Sequence, residues 1–193
     1  MNFGSEQGYF DIDDFLVEDQ LIPVIFTKEL EGMGELNGSL PETKIEAHTK
    51  LELPLFTTKF LILENFVDYE FPKCFNSKVQ HALKACAQNI DLHSLGPNFF
   101  YFALKCSELI DNEEFTNFIN TTFIERLVYI YDHSQSSGNS KSNVQFFNMV
   151  QTLDELELKI FNSSLEQVKE FEHWIRTTTE VGFKPKKRKF REL

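Results

Sequence analysis

The chain has 193 residues, of which 41% are hydrophobic and 25% charged, an ordinary globular mixture that is too apolar for a disordered chain. This composition excludes collagen, coiled-coil rods and small disulfide scaffolds. The 19 basic and 30 acidic side chains leave a formal net charge of −11, and so acidic a body disfavours direct nucleic-acid binding.

The first 54 residues predict a small β-rich domain. Residues 9–19 have the apolar spacing of a short amphipathic helix, and residues 21–27 favour a strand because they are β-branched and aromatic. Because proline has no N–H to donate, we expect Pro23 to lie either in an edge strand or at the start of a strand. Over residues 45–55 apolar side chains alternate with polar ones, which predicts a half-buried strand or hairpin arm.

From residue 55 to residue 183 the periodicity becomes helical, which predicts an α-helical bundle. Thr57 or Thr58 can cap the first helix, and Ser163 with Glu166 forms a capping box for the last. The serine-rich stretch 133–143 predicts a polar linker. We predict helices over residues 57–66, 72–86, 97–110, 113–132 and 144–161, and a last one from residue 163. The fold class is therefore α+β, with a β-rich domain (1–54), a helical bundle (55–183) and a basic tail (184–193).

Two predicted helices carry more apolar surface than one core can bury. Helix 97–110 has a second apolar cluster opposite its first apolar face, and helix 113–132 is polar only along a narrow stripe. Exposing Phe100, Tyr101 and Leu104 would cost roughly 5–9 kcal/mol, against a whole-domain stability of ~5–15 kcal/mol. Either other helices of this chain cover that surface, or other chains do in an obligate hetero-oligomer. The predicted protein-interface residues are Phe100, Tyr101, Leu104, Ile124, Leu127, Val128 and Tyr131.

No motif supports catalysis or metal binding. The five histidines are scattered without H-x-x-x-H spacing, and neither a Walker-type loop nor a G-x-S-x-G elbow occurs. Three cysteines without a C-x-x-C pair fit a reducing compartment. The carboxylates Asp154, Glu155 and Glu157 could hold a cation, but a solvated helix face is the favoured interpretation. We therefore predict no catalytic site, no cofactor and no metal, and no membrane segment, because the longest apolar run falls far short of ~20 residues.

The C-terminal tail KPKKRKFREL carries six basic side chains and one acidic one, a balance of +5, so the other 183 residues sum to −16. Such a cluster is typical of a nuclear import signal or of an arm that touches nucleic acid, while a merely solubilising terminus is the plain alternative. We predict nuclear import. The residues assigned to this signal are Lys184, Lys186, Lys187, Arg188 and Lys189.

Five short segments occur in one order from the head of the chain to its tail, and together they are more specific than any one alone. They are residues 11–16 (DIDDFL), 32–39 (GMGELNGS), 50–56 (KLELPLF), 91–100 (DLHSLGPNFF) and 186–190 (KKRKF). In this order they resemble the family of third Psf subunits of the eukaryotic GINS complex. One departure is Phe56, where the family commonly has tryptophan.

The resemblance implies the same β-rich head and helical bundle, and a heterotetramer with the three other GINS subunits. It further implies that this complex joins the MCM ring and a RecJ-like cell-division-cycle protein in the CMG replicative helicase, in the nucleus. The subunit would be structural, without catalysis, and would meet DNA only indirectly. The alternative is a nucleic-acid-binding module that acts through the basic tail and loses affinity steeply with salt. A third, an unrecognised hydrolase, has no motif in its favour.

Overall fold

The computed structural model of the chain describes residues 11–110, 112–136 and 144–181. A small antiparallel sheet and two short helices come first, and a mainly helical region follows. The elements are α1 (Ile12–Glu18), β1 (Leu21–Phe26), β2 (Lys50–Pro54), α2 (Leu55–Leu63), β3 (Val67–Tyr69), α3 (Ser77–Ala85), α4 (Leu92–Leu95), α5 (Phe99–Ile110), α6 (Glu113–Ser136), α7 (Val144–Gln151) and α8 (Glu155–Val181). Short 3₁₀ turns lie at Gly34–Asn37, Lys73–Phe75 and Ala87–Asn89.

The sheet has the strand order β2-β1-β3, and both pairings are antiparallel. Ile22, Val24 and Phe26 alternate along β1 and are all buried, because successive strand side chains point to opposite faces. The predicted α+β class is confirmed. Strand β3 lies beyond Pro54, so the sheet takes one strand from the region assigned to the helical bundle, and the boundary at that residue stays a prediction.

Of the two positions predicted for Pro23, the sheet edge is wrong, because β1 is the central strand, and Pro23 lies near the start of that strand as its third residue. Pro23 pairs with Glu52 of β2 on one side. On the other side its carbonyl accepts a hydrogen bond of 2.8 Å from the Glu70 N–H, just past the end of β3. The missing N–H of Pro23 therefore lies where the pairing of β1 with β3 already ends. A proline in this central strand consequently costs little stability.

The predicted strand over residues 45–55 is shorter in the structure, where β2 spans Lys50–Pro54. Upstream, Ile45 forms only an isolated bridge with Leu30. His48 has a φ of 65°, which turns the chain and ends the alternation. The next helix, α2, begins at Leu55 instead of being capped by Thr57 or Thr58, and the Thr58 hydroxyl donates back to the Pro54 carbonyl at 3.0 Å.

In the helical region the predicted extents of α5 and α6 agree with the structure, except that α6 continues to Ser136 into the predicted linker. The predicted break at Ser163 is wrong, because α8 runs unbroken from Glu155 to Val181. The break lies instead between α7 and α8, where the Asp154 side chain accepts from the Leu156 N–H as a helix N-cap.

Two apolar cores lie along α6. The larger joins the sheet to α2, α3, α5 and the first half of α6, and Phe75 lies at its centre with ring centroids 5.1 Å from Phe99 and 5.2 Å from Phe115. The smaller core lies between the second half of α6, α7 and α8, and contains Ile130 and Phe161. The long helix α6 therefore couples the β-rich head to the C-terminal helices.

Candidate interaction surface

One face of α6 is buried by this chain. Its inward side chains recur every three or four residues, as expected for one face of a helix. They are Phe115, Ile119, Thr122, Arg126, Ile130 and Ser134.

The opposite face of α6 is apolar and open. Ile124, Val128 and Tyr131 are 59%, 57% and 57% exposed, and their spacing of four and three residues places them in one stripe. Leu127 beside them is half-buried. Contact of this stripe with another chain stays a prediction, which the exposed apolar side chains favour.

The stripe borders a groove between α6 and α8 with a volume of about 470 Å³. Leu127, Val128 and Tyr131 line it from α6, and Ile160 lines it from α8. Ser163 and Gln167 add polar side chains on the α8 wall. Its volume falls within the ~300–1,000 Å³ that ligand sites commonly enclose.

The predicted interface residues on α5 divide between the core and the surface. Phe100 is 5% exposed and packs edge-on against Phe99 and Phe123, with ring centroids 5.4 Å and 5.0 Å away. Phe100 is therefore covered by another helix of the same chain and not by a partner. Tyr101 is half-buried and Leu104 is 51% exposed, so both still reach the surface. Contact of these residues with another chain stays a prediction.

A further exposed cluster lies near the end of α8. Phe171, Trp174 and Ile175 are exposed, and the first two rings stack with centroids 5.9 Å apart. No side chain in residues 169–177 is buried. The sequence signal was their i, i+3, i+4 spacing, which predicts one helical face but does not say whether this chain covers it.

The open face of α6 is held in place from beneath by a buried ion pair that was not predicted. Arg126 of α6 is 2% exposed and Glu157 of α8 is fully buried. The Arg126 Nε donates to Glu157 Oε1 at 2.6 Å, and its second terminal nitrogen donates to Oε2 at 2.8 Å. This two-point contact fixes the rotation of α6 against α8, because the planar guanidinium accepts only a narrow range of carboxylate positions.

The same guanidinium also satisfies backbone carbonyls at the ends of neighbouring elements. Arg126 donates to Ala87 O at 2.6 Å, to Ile90 O at 3.0 Å and to Thr152 O at 3.3 Å. These carbonyls belong to the 3₁₀ turn before α4 and to the break before α8. One side chain therefore joins four segments, and its removal would leave several buried acceptors without a donor.

The solvated-face interpretation of Asp154 and Glu157 is wrong, since both are fully buried. Asp154 accepts hydrogen bonds from the Phe100 N–H at 2.9 Å and from the Leu156 N–H, and so caps two helices at once. Burial raises the pKa of Asp154 to about 6, although these backbone donors oppose the increase. The carboxylate is a structural cap within the core, with no access to a solvated cation.

This burial predicts a pH-dependent stability. The pKa of Asp154 is raised from 3.8 to about 6 in the folded chain, so the folded state binds the proton more tightly than the unfolded state. The resulting contribution to the free energy of unfolding is complete below about pH 4 and is lost as the pH rises through about 6. Relative to Asp154→Asn, which cannot titrate, the wild type should lose roughly 2–3 kcal/mol between pH 4 and pH 7 in urea unfolding. A difference between the two proteins that stays constant with pH would contradict this assignment.

Within residues 11–110, 112–136 and 144–181, no group of three or more His, Cys, Asp or Glu side chains is placed to hold a metal ion. In the same ranges no helix is both long enough and apolar enough to cross a membrane. The basic tail from Lys184 to Lys189 lies outside the described residues, and so does most of the predicted linker.

Comparison with known proteins agrees with this architecture. Residues 74–176 match the family model of the GINS complex protein helical bundle domain, and residues 10–63 match that of the PSF3 N-terminal domain. The protein named DNA replication complex GINS protein PSF3 of Debaryomyces hansenii is 30% identical over 177 residues, covering 88% of this chain and 98% of the relative. The proteins of the same name are 27% identical in Saccharomyces cerevisiae and 28% identical in Mus musculus, covering 87% and 98% of this chain and 98% and 93% of those relatives.

The helical bundle with its open apolar face is thus that of a GINS complex protein. The N-terminal match specifies which one: the chain belongs to the PSF3 family of DNA replication proteins. The resemblance drawn from the five sequence segments is confirmed.

Proposed function

We propose that the chain is a non-catalytic structural subunit of a GINS heterotetramer, assembled with the three other GINS subunits. Membership of the PSF3 family supports this, and relatives that match nearly the whole chain are named as DNA replication complex GINS proteins. Through that complex the chain would join the MCM ring and the RecJ-like cell-division-cycle protein in the CMG helicase, during initiation and elongation of replication in the nucleus.

The observation that carries the proposal is the exposed stripe on α6. Ile124, Val128 and Tyr131 are each more than half exposed, on a helix whose opposite face already belongs to the core. Covering such side chains contributes about 1.5–3 kcal/mol each, which is a large share of the stability of a small domain. A scaffold subunit needs surface of this kind.

The charge distribution supports indirect contact with DNA. Residues 1–183 sum to −16, and so strong a negative field repels phosphate at long range. Direct binding through the tail would instead show affinity that falls steeply with salt.

Co-expression with the three other subunits tests the assembly. We expect a single species in size-exclusion chromatography with light scattering, whose mass equals one copy of each chain. The chain expressed alone should be poorly soluble or self-associated, because its apolar stripe is open to water. A soluble monomer at high concentration that enters no complex would contradict the proposal.

Nuclear import by the basic tail can be tested separately. We expect a fluorescent fusion that lacks residues 184–193 to stay in the cytoplasm when it is produced without partners, because the deletion removes all six basic side chains of the tail. Microscopy of living cells measures the nuclear fraction. A control deletion of residues 137–143, which leaves α6 whole, should leave import intact. Equal nuclear accumulation of both deletions would count against the tail as the signal.

A further inference from the structure

The helix α1 is attached to the body mainly by charge. Of its seven residues only Val17 is buried, at 1% exposed. Ile12, Phe15 and Leu16 are 72%, 56% and 54% exposed, so the apolar face of α1 points away from the chain. The hydrophobic effect therefore anchors α1 through Val17 alone, and other interactions must hold the helix in place.

Those forces come from lysines on three different helices. Lys105 Nζ lies 2.8 Å from Asp14 Oδ1 and 3.8 Å from Glu18 Oε1, and Lys59 Nζ lies 3.1 Å from the same Glu18 oxygen. Lys159 of α8 contacts the carboxylate of Asp13. We call these lysines the three-lysine cradle. It consists of Lys59 of α2, Lys105 of α5 and Lys159 of α8.

Two of these pairs are partly shielded from water. The Lys105 and Lys59 side chains are only 18% and 27% exposed, and their partners Asp14 and Glu18 are 32% and 30% exposed. Burial is the largest single influence on Lys105 and lowers its pKa, but the hydrogen bond to Asp14 and the negative charges of Asp14, Glu18 and Glu108 together outweigh burial, so the pKa is raised. Shielded pairs are screened less by salt than exposed pairs, so they can hold an element at moderate ionic strength and release it at high ionic strength.

The cradle is suited to exchange its ligand. A helix of seven residues is unstable on its own, so α1 is ordered only while it is docked. When α1 leaves, Lys59 and Lys105, which share one carboxylate oxygen, remain as neighbouring cations. The bare cradle then favours a new ligand with several negative charges on one face.

The ligand that the cradle already holds indicates the chemistry it selects. It is a short helix with carboxylates at positions i, i+1 and i+5, here Asp13, Asp14 and Glu18, and with one apolar anchor, Val17. A nucleic acid also carries negative charge, but residues 1–183 sum to −16 and repel a long polyanion. We propose that the three-lysine cradle is a docking site for an acidic peptide helix, and that α1 is its resident occupant, exchangeable for such a segment of another protein. The proposal does not depend on the proposed function.

Hydrogen exchange of the full-length chain tests this, with the chain purified alone or with its co-expressed partners. The probe is a synthetic peptide of residues 11–20, DIDDFLVEDQ, with an N-terminal fluorescein that makes its mass distinct. At 50 mM NaCl we expect excess peptide to raise amide exchange in Ile12–Glu18 at least tenfold. Its binding, measured by fluorescence polarisation, should weaken at least tenfold between 50 and 300 mM NaCl.

The matched variants separate charge from packing. Replacing Lys59, Lys105 and Lys159 by glutamine should raise α1 exchange without any peptide and abolish peptide binding. The control replaces Lys44, Lys50 and Lys73, which are also ion-paired but lie at least 54% exposed, and should leave both readouts unchanged. If the triple cradle variant fails to fold, as judged by exchange in α6, Lys105→Gln alone should still raise α1 exchange at least threefold.

Three results would overturn the proposal. Unchanged α1 exchange in the cradle variants would mean that packing of Val17 holds the helix. No effect of the peptide on wild-type α1 would mean that the site does not exchange its occupant. Displacement of α1 by a single-stranded DNA oligonucleotide as effectively as by the peptide would assign the cradle to phosphate instead of to an acidic helix.

Discussion

Replacing Arg126 with methionine should lower the free energy of unfolding by about 3–5 kcal/mol, because Glu157 is then left as an unpaired buried charge. The three carbonyls that Arg126 serves would also lose a donor. Equilibrium unfolding of the chain in urea measures this loss. A loss of less than about 1 kcal/mol would contradict the role assigned to the pair.

Two further variants identify the source of that loss. The double change Arg126→Met with Glu157→Leu should be less destabilised than Arg126→Met alone, because neither member of the former ion pair is left as an unpaired charge. The control is Lys73→Met, which breaks an exposed pair with Glu52 whose lysine side chain is 92% exposed, and it should change stability by less than about 1 kcal/mol. If the double variant were as unstable as the sum of the single ones, packing around Arg126 would be the cause instead of charge.

Val128→Asp should abolish assembly with the other subunits while the chain itself stays folded. Val128 is 57% exposed and lines the groove between α6 and α8, so an aspartate there is solvated in the free chain. In an assembled complex the same carboxylate would be buried without a partner, at a cost of several kcal/mol. We expect affinity to fall at least about 100-fold. Co-purification with tagged partner subunits measures the loss.

Thr121→Asp is the matched control for that experiment. It places the same charge on the same helix, but in the exposed polar stripe that also contains Glu125 and Asp132. The helix-propensity cost is similar in the two variants, so any difference between them reports the surface and not the helix. Recovery of the intact complex with Val128→Asp would remove this face from the interface.

The helical periodicity of the chain predicted the helices that line the larger apolar core. In α5 the first apolar face lies inward as predicted, with Phe99, Phe102 and Cys106 buried. Its second cluster proved divided, since Phe100 is covered by α6 whereas Leu104 remains half exposed. Spacing along one helix cannot show which neighbour lies over each face, because that depends on the packing of elements far apart in the chain.

The polar residues of the core were the main failure of prediction. Arg126 lies in the buried stripe of α6 between Thr122 and Ile130, and that position was the available signal. Arginine and glutamate are so seldom fully buried that the solvated interpretation of Glu157 was the natural one. Arg126 and Glu157 are 31 residues apart, so their pairing cannot be predicted from the pattern of neighbouring residues.

By itself the sequence determined the fold class, through its change from β to helical periodicity, and its five ordered segments already resembled the family. It also determined which side chains are apolar enough to need cover, because hydrophobicity belongs to the side chain alone. Only the tertiary structure decided which of these this chain buries, where the helix break falls at Asp154, and that α1 lies on three lysines. Those outcomes depend on contacts between segments that are distant in the chain. The free energy of each such contact depends on how deeply the groups are buried and on the geometry of their pairing.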